Sequence, residues 1–283
     1  RQMCIRDSYN NRALVPDFPR ILQRWQQASA LARKGLHHHR DLPYGVTAAE
    51  TLDLFPAPSP DAPILVFIHG GYWRSLDKSD FSFIAPVFHA AGAMVVVPNY
   101  GLCPAVSLDT IVMQMKRMLV WVARQAAAHG GDARRILVAG HSAGGHLAAL
   151  LMDSDWKDEG SDIPADLAAR ALSISGLFDL EPLVKVPFLQ QDLRLTPESA
   201  RRLSPASRPA PAGRLLALVG AAESQAFLAQ NALIGERWGP AVVPVCEAVP
   251  GRNHFDVLDP FVDPEAALHR LALRELGLGP EAA

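Results

Sequence analysis

The stretch VAGHSAGGH, residues 138–146, decides the fold of this chain. An apolar β-branched run ends there in Gly140-His141-Ser142-Ala143-Gly144, and the Ala/Leu-rich HLAALLM follows. In the order strand, sharp turn, helix, a G-x-S-x-G string becomes a nucleophile elbow, because small residues beside the serine let a strained turn present its hydroxyl outward. The string alone is weak evidence, but two further pieces stand in the matching chain order. Upstream, ILVFIHGGYW at residues 64–73 is a second strand running into a glycine pair whose N–H groups are placed to meet an oxyanion. Downstream, Asn253-His254-Phe255 puts a histidine near the C-terminus.

Hydrophobic periodicity extends this pattern along the chain. Apolar residues at three- and four-residue steps over residues 16–36 mark a helix. TLDLF at 51–55 alternates and leads through a proline-rich turn into the buried strand 64–68. Residues 77–91 are expected to be helical and 93–100, AMVVVPNY, to form a strand. Then follow a helix over 108–128, strand 135–139, the helix after Ser142, strand 171–175, strand 215–219, helix 225–238, strand 242–248 and a last helix over 264–276. Strands separated by helices, several of them apolar throughout, imply a mostly parallel sheet with helices on both faces. Such sheets carry their sites at the carboxyl ends of strands, where residues 69–73, Ser142, residues 220–223 and His254 all fall. Together these features specify an α/β-hydrolase fold. Residues 181–211, with six prolines and a charged helical patch, suit a small cap over the sheet edge, and residues 9–45 are expected to contribute to it.

The chain of 283 residues reads as one domain over 9–283, since no linker or charge block divides it. Residues 1–8, RQMCIRDS, show no helix or strand period and are read as a disordered or non-native leader. A formal charge of −2 argues against a nucleic-acid partner, and no apolar run reaches the length of about 20 residues needed to cross a bilayer. With no secretory signal pattern, the expected location is the cytoplasm. Cys4, Cys103 and Cys246 are neither a disulfide framework nor a zinc pattern. His141 and His146 flank the elbow at a spacing that does not share a helical face, and the His37–His39 run, read as an exposed basic loop, lacks ligand neighbours. No metal is therefore expected. Neither G-x-G-x-x-G nor G-x-x-x-x-G-K occurs, so no phosphate-bearing cofactor is expected either. The partner is a small-molecule substrate; a homodimer is left open.

A serine hydroxyl attacks a carbonyl only when a neighbouring imidazole takes its proton. His254, in the loop after the last strand, is the base by chain order. The carboxylate that orients it should follow strand 215–219, where Glu223 is the only acid; Asp179 and Asp256 are the alternatives. The amide N–H of Ala143, with those of Gly71 and Tyr72, would receive the charge that attack creates. His69 is expected to anchor the glycine loop through side-chain hydrogen bonds.

HGGYW, GHSAGGH and NHF together resemble the serine-dependent arylformamidases, or kynurenine formamidases, of the α/β-hydrolase superfamily, with hormone-sensitive-lipase-like esterases as wider relatives. YNNRALVPDFP (9–19), ETLDLFPA (50–57), NYGLCPAVSLDTIVMQ (99–114) and VGAAESQAF (219–227) extend the resemblance along nearly the whole chain from residue 9. It implies a triad of Ser142, Glu223 and His254, with Gly71, Tyr72 and Ala143 as the oxyanion hole. The family often has aspartate where Glu223 stands. It also implies hydrolysis of N-formylkynurenine to kynurenine and formate without a cofactor. Tyr72 and Trp73 would then form an aromatic wall for the aryl group, and Arg74 is the candidate receptor for the amino-acid end. A carboxylesterase using the same residues is the alternative, and an inactive hydrolase-fold binding protein the third reading.

Overall fold

Every position of the strand Ala62–Ile68 is buried, and so is every position of Met94–Pro98. Strands apolar on both faces need cover on both, and the alternation of side chains across a strand distributes them. Ile64, Val66 and Ile68 join one hydrophobic core, while Leu65 and Phe67 join another on the opposite face. The first core is closed by the helices Leu108–Gln125, Ala143–Met152 and Gln225–Val242, the second by Phe18–Gly35, Ala85–Ala90 and Ala267–Leu276.

The structure, a computed structural model, describes residues 5–279. Its eight strands are β1 (His39–Pro43), β2 (Thr51–Phe55), β3 (Ala62–Ile68), β4 (Met94–Pro98), β5 (Gly131–His141), β6 (Arg170–Ile174), β7 (Arg214–Gly220) and β8 (Val245–Val249). They form one sheet in the order β1-β2-β4-β3-β5-β6-β7-β8. The β1–β2 and β2–β4 pairs are antiparallel, and all pairs from β4 to β8 are parallel. This is the α/β-hydrolase architecture expected from the sequence. Among the described residues no helix is long and apolar enough to cross a membrane.

Three local expectations are corrected. Residues 37–39 do not simply form a loop, because His39 begins the edge strand β1, whose mostly exposed residues carry no alternating signal. Residues 77–91 are not one helix but two short 3-10 turns followed by Ala85–Ala90. Pro86 has no N–H to continue the ladder from the preceding turns, so a new helix starts there. The last four residues of the expected leader, Ile5–Ser8, form a helical turn, and the Ser8 carbonyl accepts a 2.7 Å hydrogen bond from Ser224 Oγ. Residues 1–4, with Cys4, lie outside the described residues. Cys103 and Cys246 are free thiols.

Candidate active site

Ser142 sits between β5 and the helix Ala143–Met152 with φ 55° and ψ −117°, in the positive-φ region that a non-glycine residue occupies only under constraint. Its own N–H donates to Ile174 O at 2.8 Å, and its carbonyl accepts from His146 N at 3.1 Å. The elbow is possible because its neighbours lack side chains. A Cβ on Gly140 would lie 2.2 Å from Gly144 O, and one on Gly144 would lie 1.9 Å from Ile68 O. The glycines therefore let helix, β5 and β3 converge on the serine.

His254, in the loop after β8, brings Nε2 to 3.0 Å from Ser142 Oγ. Its Nδ1 lies 2.6 Å from Glu223 Oε2. The His254 side chain is only 4% exposed and that of Glu223 fully buried. Glu223 Oε1 accepts from Gly220 N at 2.7 Å and from Ser175 Oγ, so three donors converge on one carboxylate. The alternatives do not reach the imidazole. Asp179 accepts from Glu181 N at 2.9 Å, and Asp256 from Asn253 N at 2.6 Å, each closing its own turn.

The histidine is held from behind by other rings. Phe227 packs 4.5 Å from it, and His141 lies at 4.9 Å between centroids. His141 Nε2 donates to the His254 carbonyl at 2.6 Å. Burial first, and the adjacent His254 second, push the His141 pKa down to about 3, so this ring is neutral and serves as a strut.

The glycine loop approaches the serine closely. A Cβ on Gly70 would lie 3.1 Å from Ser142 Cβ, and Gly71 holds φ +106°. Among the described residues the N–H groups of Gly71, Tyr72 and Ala143 have no hydrogen-bond partner. His69 fastens the loop as expected. Its Nδ1 is 2.7 Å from Gly70 O and its Nε2 3.1 Å from Asn99 Oδ1, while Tyr100 OH donates to His69 O at 2.8 Å. Burial depresses the His69 pKa.

A cavity lined by Ser142 and His254 opens at the site. Tyr72 lines it and donates from its hydroxyl to Tyr9 O at 2.7 Å. Trp73 does not line it, which corrects the expected aromatic pair. Trp73 is fully buried, stands edge-on to His146 at 4.9 Å and packs the loop from behind. Arg74 lines the cavity, but it is paired with Asp192 and donates to Phe188 O at 2.7 Å, so its charge is already met. Three contributors escaped the sequence reading: Ser175, Asn11 and Arg12. None lies in a spaced motif. The last two reach the cavity because the N-terminal segment folds back over it.

The BD-FAE family matches residues 52–171. Over 246 residues the chain is 30% identical to a kynurenine formamidase of Danio rerio, and over 251 residues 32% identical to one of Salmo salar. Both alignments cover 84% of this chain and 81% of the relative. A solved structure from Silicibacter sp. tm1040, provisionally described as a thioesterase, superposes with a TM-score of 0.82 at 30% identity. That match covers 94% of this chain and 97% of the other. Likeness of this extent, in sequence and in fold, makes the chain a hydrolase that belongs to the kynurenine formamidase family of the α/β-hydrolases.

Proposed function

We propose that the chain hydrolyses an aryl formamide, N-formylkynurenine, to kynurenine and formate, with Ser142 as nucleophile, His254 as general base and acid, and Glu223 as the orienting carboxylate. The observation that carries this reading is the unbroken hydrogen-bonded line from Ser142 Oγ through the His254 ring to Glu223, at the floor of a cavity. Ser142 Oγ attacks the formyl carbon while its proton passes to His254 Nε2. The carbonyl oxygen becomes an oxyanion and takes hydrogen bonds from the N–H groups of Ala143, Gly71 and Tyr72, each worth about 3 kcal/mol of barrier. The C–N bond then breaks, and the aryl amine leaves with the proton from His254. A water, deprotonated by the same imidazole, hydrolyses the formyl-serine to formate and regenerates the hydroxyl. Glu223 keeps the proton on Nδ1 and stabilises the imidazolium that forms in both halves.

The formyl group needs little room on the acyl side, which suits the close approach of Gly70 to Ser142. On the amine side Tyr72, Phe18 and Phe188 offer flat apolar surface. Segments 9–45 and 181–211 act as the cap: Phe18 and Phe188 come one from each, and His146 Nε2 ties the elbow helix to the second by donating to Leu203 O at 2.8 Å.

The test is a ratio. kcat/KM for formate release from N-formylkynurenine should exceed kcat/KM for p-nitrophenyl acetate or butyrate by at least about tenfold, a difference of about 1.4 kcal/mol in transition-state binding. The reverse ranking would assign the same residues to an esterase.

A further inference from the structure

The cavity above Ser142 holds a positive charge that the protein itself does not answer. Arg12, on the helical turn Asn11–Leu14, donates from Nη2 to Ser75 Oγ at 2.9 Å and places its guanidinium 5.0 Å from the centre of the Phe18 ring. Among the described residues it has no carboxylate partner. The second guanidinium on the wall, Arg74, is taken by Asp192, and no acid lines the cavity. Arg12 is an exposed residue that lines the cavity, and burial first and the neighbouring Arg74 second lower its pKa. Asn11, next in the chain, is 4% exposed and lines the same cavity, and its Nδ2 has no hydrogen-bond partner. An unpaired buried amide is unfavourable, and so are two like charges lining one cavity. A carboxylate in the cavity would answer the Arg12 charge, because guanidinium offers a planar fork of donors.

We propose that Arg12, with Asn11 beside it, binds the α-carboxylate of the substrate, so that the N-terminal segment reads the amino-acid end while Ser142 acts on the formamide. This rests on the formamidase reading above and moves the recognition role from Arg74 to Arg12. Kynurenine carries its amino-acid tail on the ketone ortho to the aryl nitrogen. The formamide and the carboxylate thus sit on neighbouring arms of one ring, the carboxylate at the end of the longer arm, and Ser142 and Arg12 both line the one cavity that would hold them.

The experiment compares N-formylkynurenine with N-(2-acetylphenyl)formamide, which keeps the ring, ketone and formamide but lacks the charged tail. The quantity read is the ratio of the two kcat/KM values. Arg12→Gln should lower that ratio about ten- to hundredfold, chiefly through a raised KM for N-formylkynurenine. Arg12→Lys should recover part of it, and Asn11→Ala should lower it less than Arg12→Gln does. An unchanged ratio in Arg12→Gln, or an equal fall on both substrates, would overturn the assignment while leaving the formamidase reading intact. A collapse of the ratio in Arg74→Gln but not in Arg12→Gln would return the role to Arg74. A wild-type protein inert toward both formamides would remove the formamidase reading, and this proposal with it.

Discussion

Glu223 is one methylene longer than aspartate, and its surroundings use that length. Oε1 is fixed by Gly220 N and Ser175 Oγ, which leaves Oε2 to His254 Nδ1. Glu223→Gln should lower kcat by about 10³- to 10⁴-fold with the fold retained, because a neutral amide neither stabilises the imidazolium nor holds its tautomer. Steady-state kinetics together with far- and near-UV circular dichroism measure both halves of this expectation. Near-normal turnover would reopen the choice of Asp179 or Asp256. That Ser142, His254 and Glu223 come together was legible in the sequence, because chain order and strand context restrict where each can fall. Ser175 was not, since its part depends on a φ of 54° just past β6 that turns its hydroxyl toward Glu223. Trp73 was misassigned because an aromatic residue looks the same in sequence whether it faces a cavity or the core.

Among the elements, strands β1 and β2 are fastened by charge to the turn that follows the glycine loop. Lys78, 3% exposed, directs Nζ to Asp53 on β2 and to Asp41 on β1, each at 2.6 Å, and its N–H to Asn99 Oδ1 at 3.0 Å. The Asp53 side chain is fully buried. Lys78→Ala would leave that carboxylate without a counter-charge, so unfolding in urea should show a loss of about 3–5 kcal/mol. Replacing both partners, Lys78→Met with Asp53→Leu, should regain most of the loss. A Lys78→Ala protein within about 1 kcal/mol of wild type would mean that the pair does not hold β1 and β2. The same elements mark the limit of sequence reading. The central strands β3 and β4 announce themselves as unbroken apolar runs because both their faces are covered. The edge strand β1 pairs on one side only, shifts register between His39 and Leu42, and carries Asp41 at φ 54°, so its order comes from β2 and Lys78. In the same way, the helix Gln225–Val242 runs past the expected end at residue 238 through a kink at Gly239, and β8 starts later than apolar periodicity suggests.

At the scale of the whole molecule, buried histidines set the response to acid. Burial pushes His141 down to about 3 and His146 to about 4, and it lowers His69 as well. The unfolded chain binds protons at these residues near pH 6.5, where the folded chain does not. Stability is therefore greatest above about pH 6.5 and falls as pH drops toward 4, at up to about 1.4 kcal/mol per pH unit for each histidine. Urea midpoints at pH 7.5 and 5.0 should decrease accordingly, and the decrease should be smaller in His146→Gln. A midpoint that rose on acidification would show that these rings take up protons in the folded state. Sheet, elbow and glycine loop all converge on the Ser142 hydroxyl, and intact-protein and peptide mass spectrometry after treatment with an organophosphate ester tests its proposed role as nucleophile most directly. A single adduct on Ser142, formed in step with loss of formamide hydrolysis and absent from His254→Ala, is the expected result. Complete inactivation with the adduct on another residue, or full formamidase activity in Ser142→Ala, would contradict it.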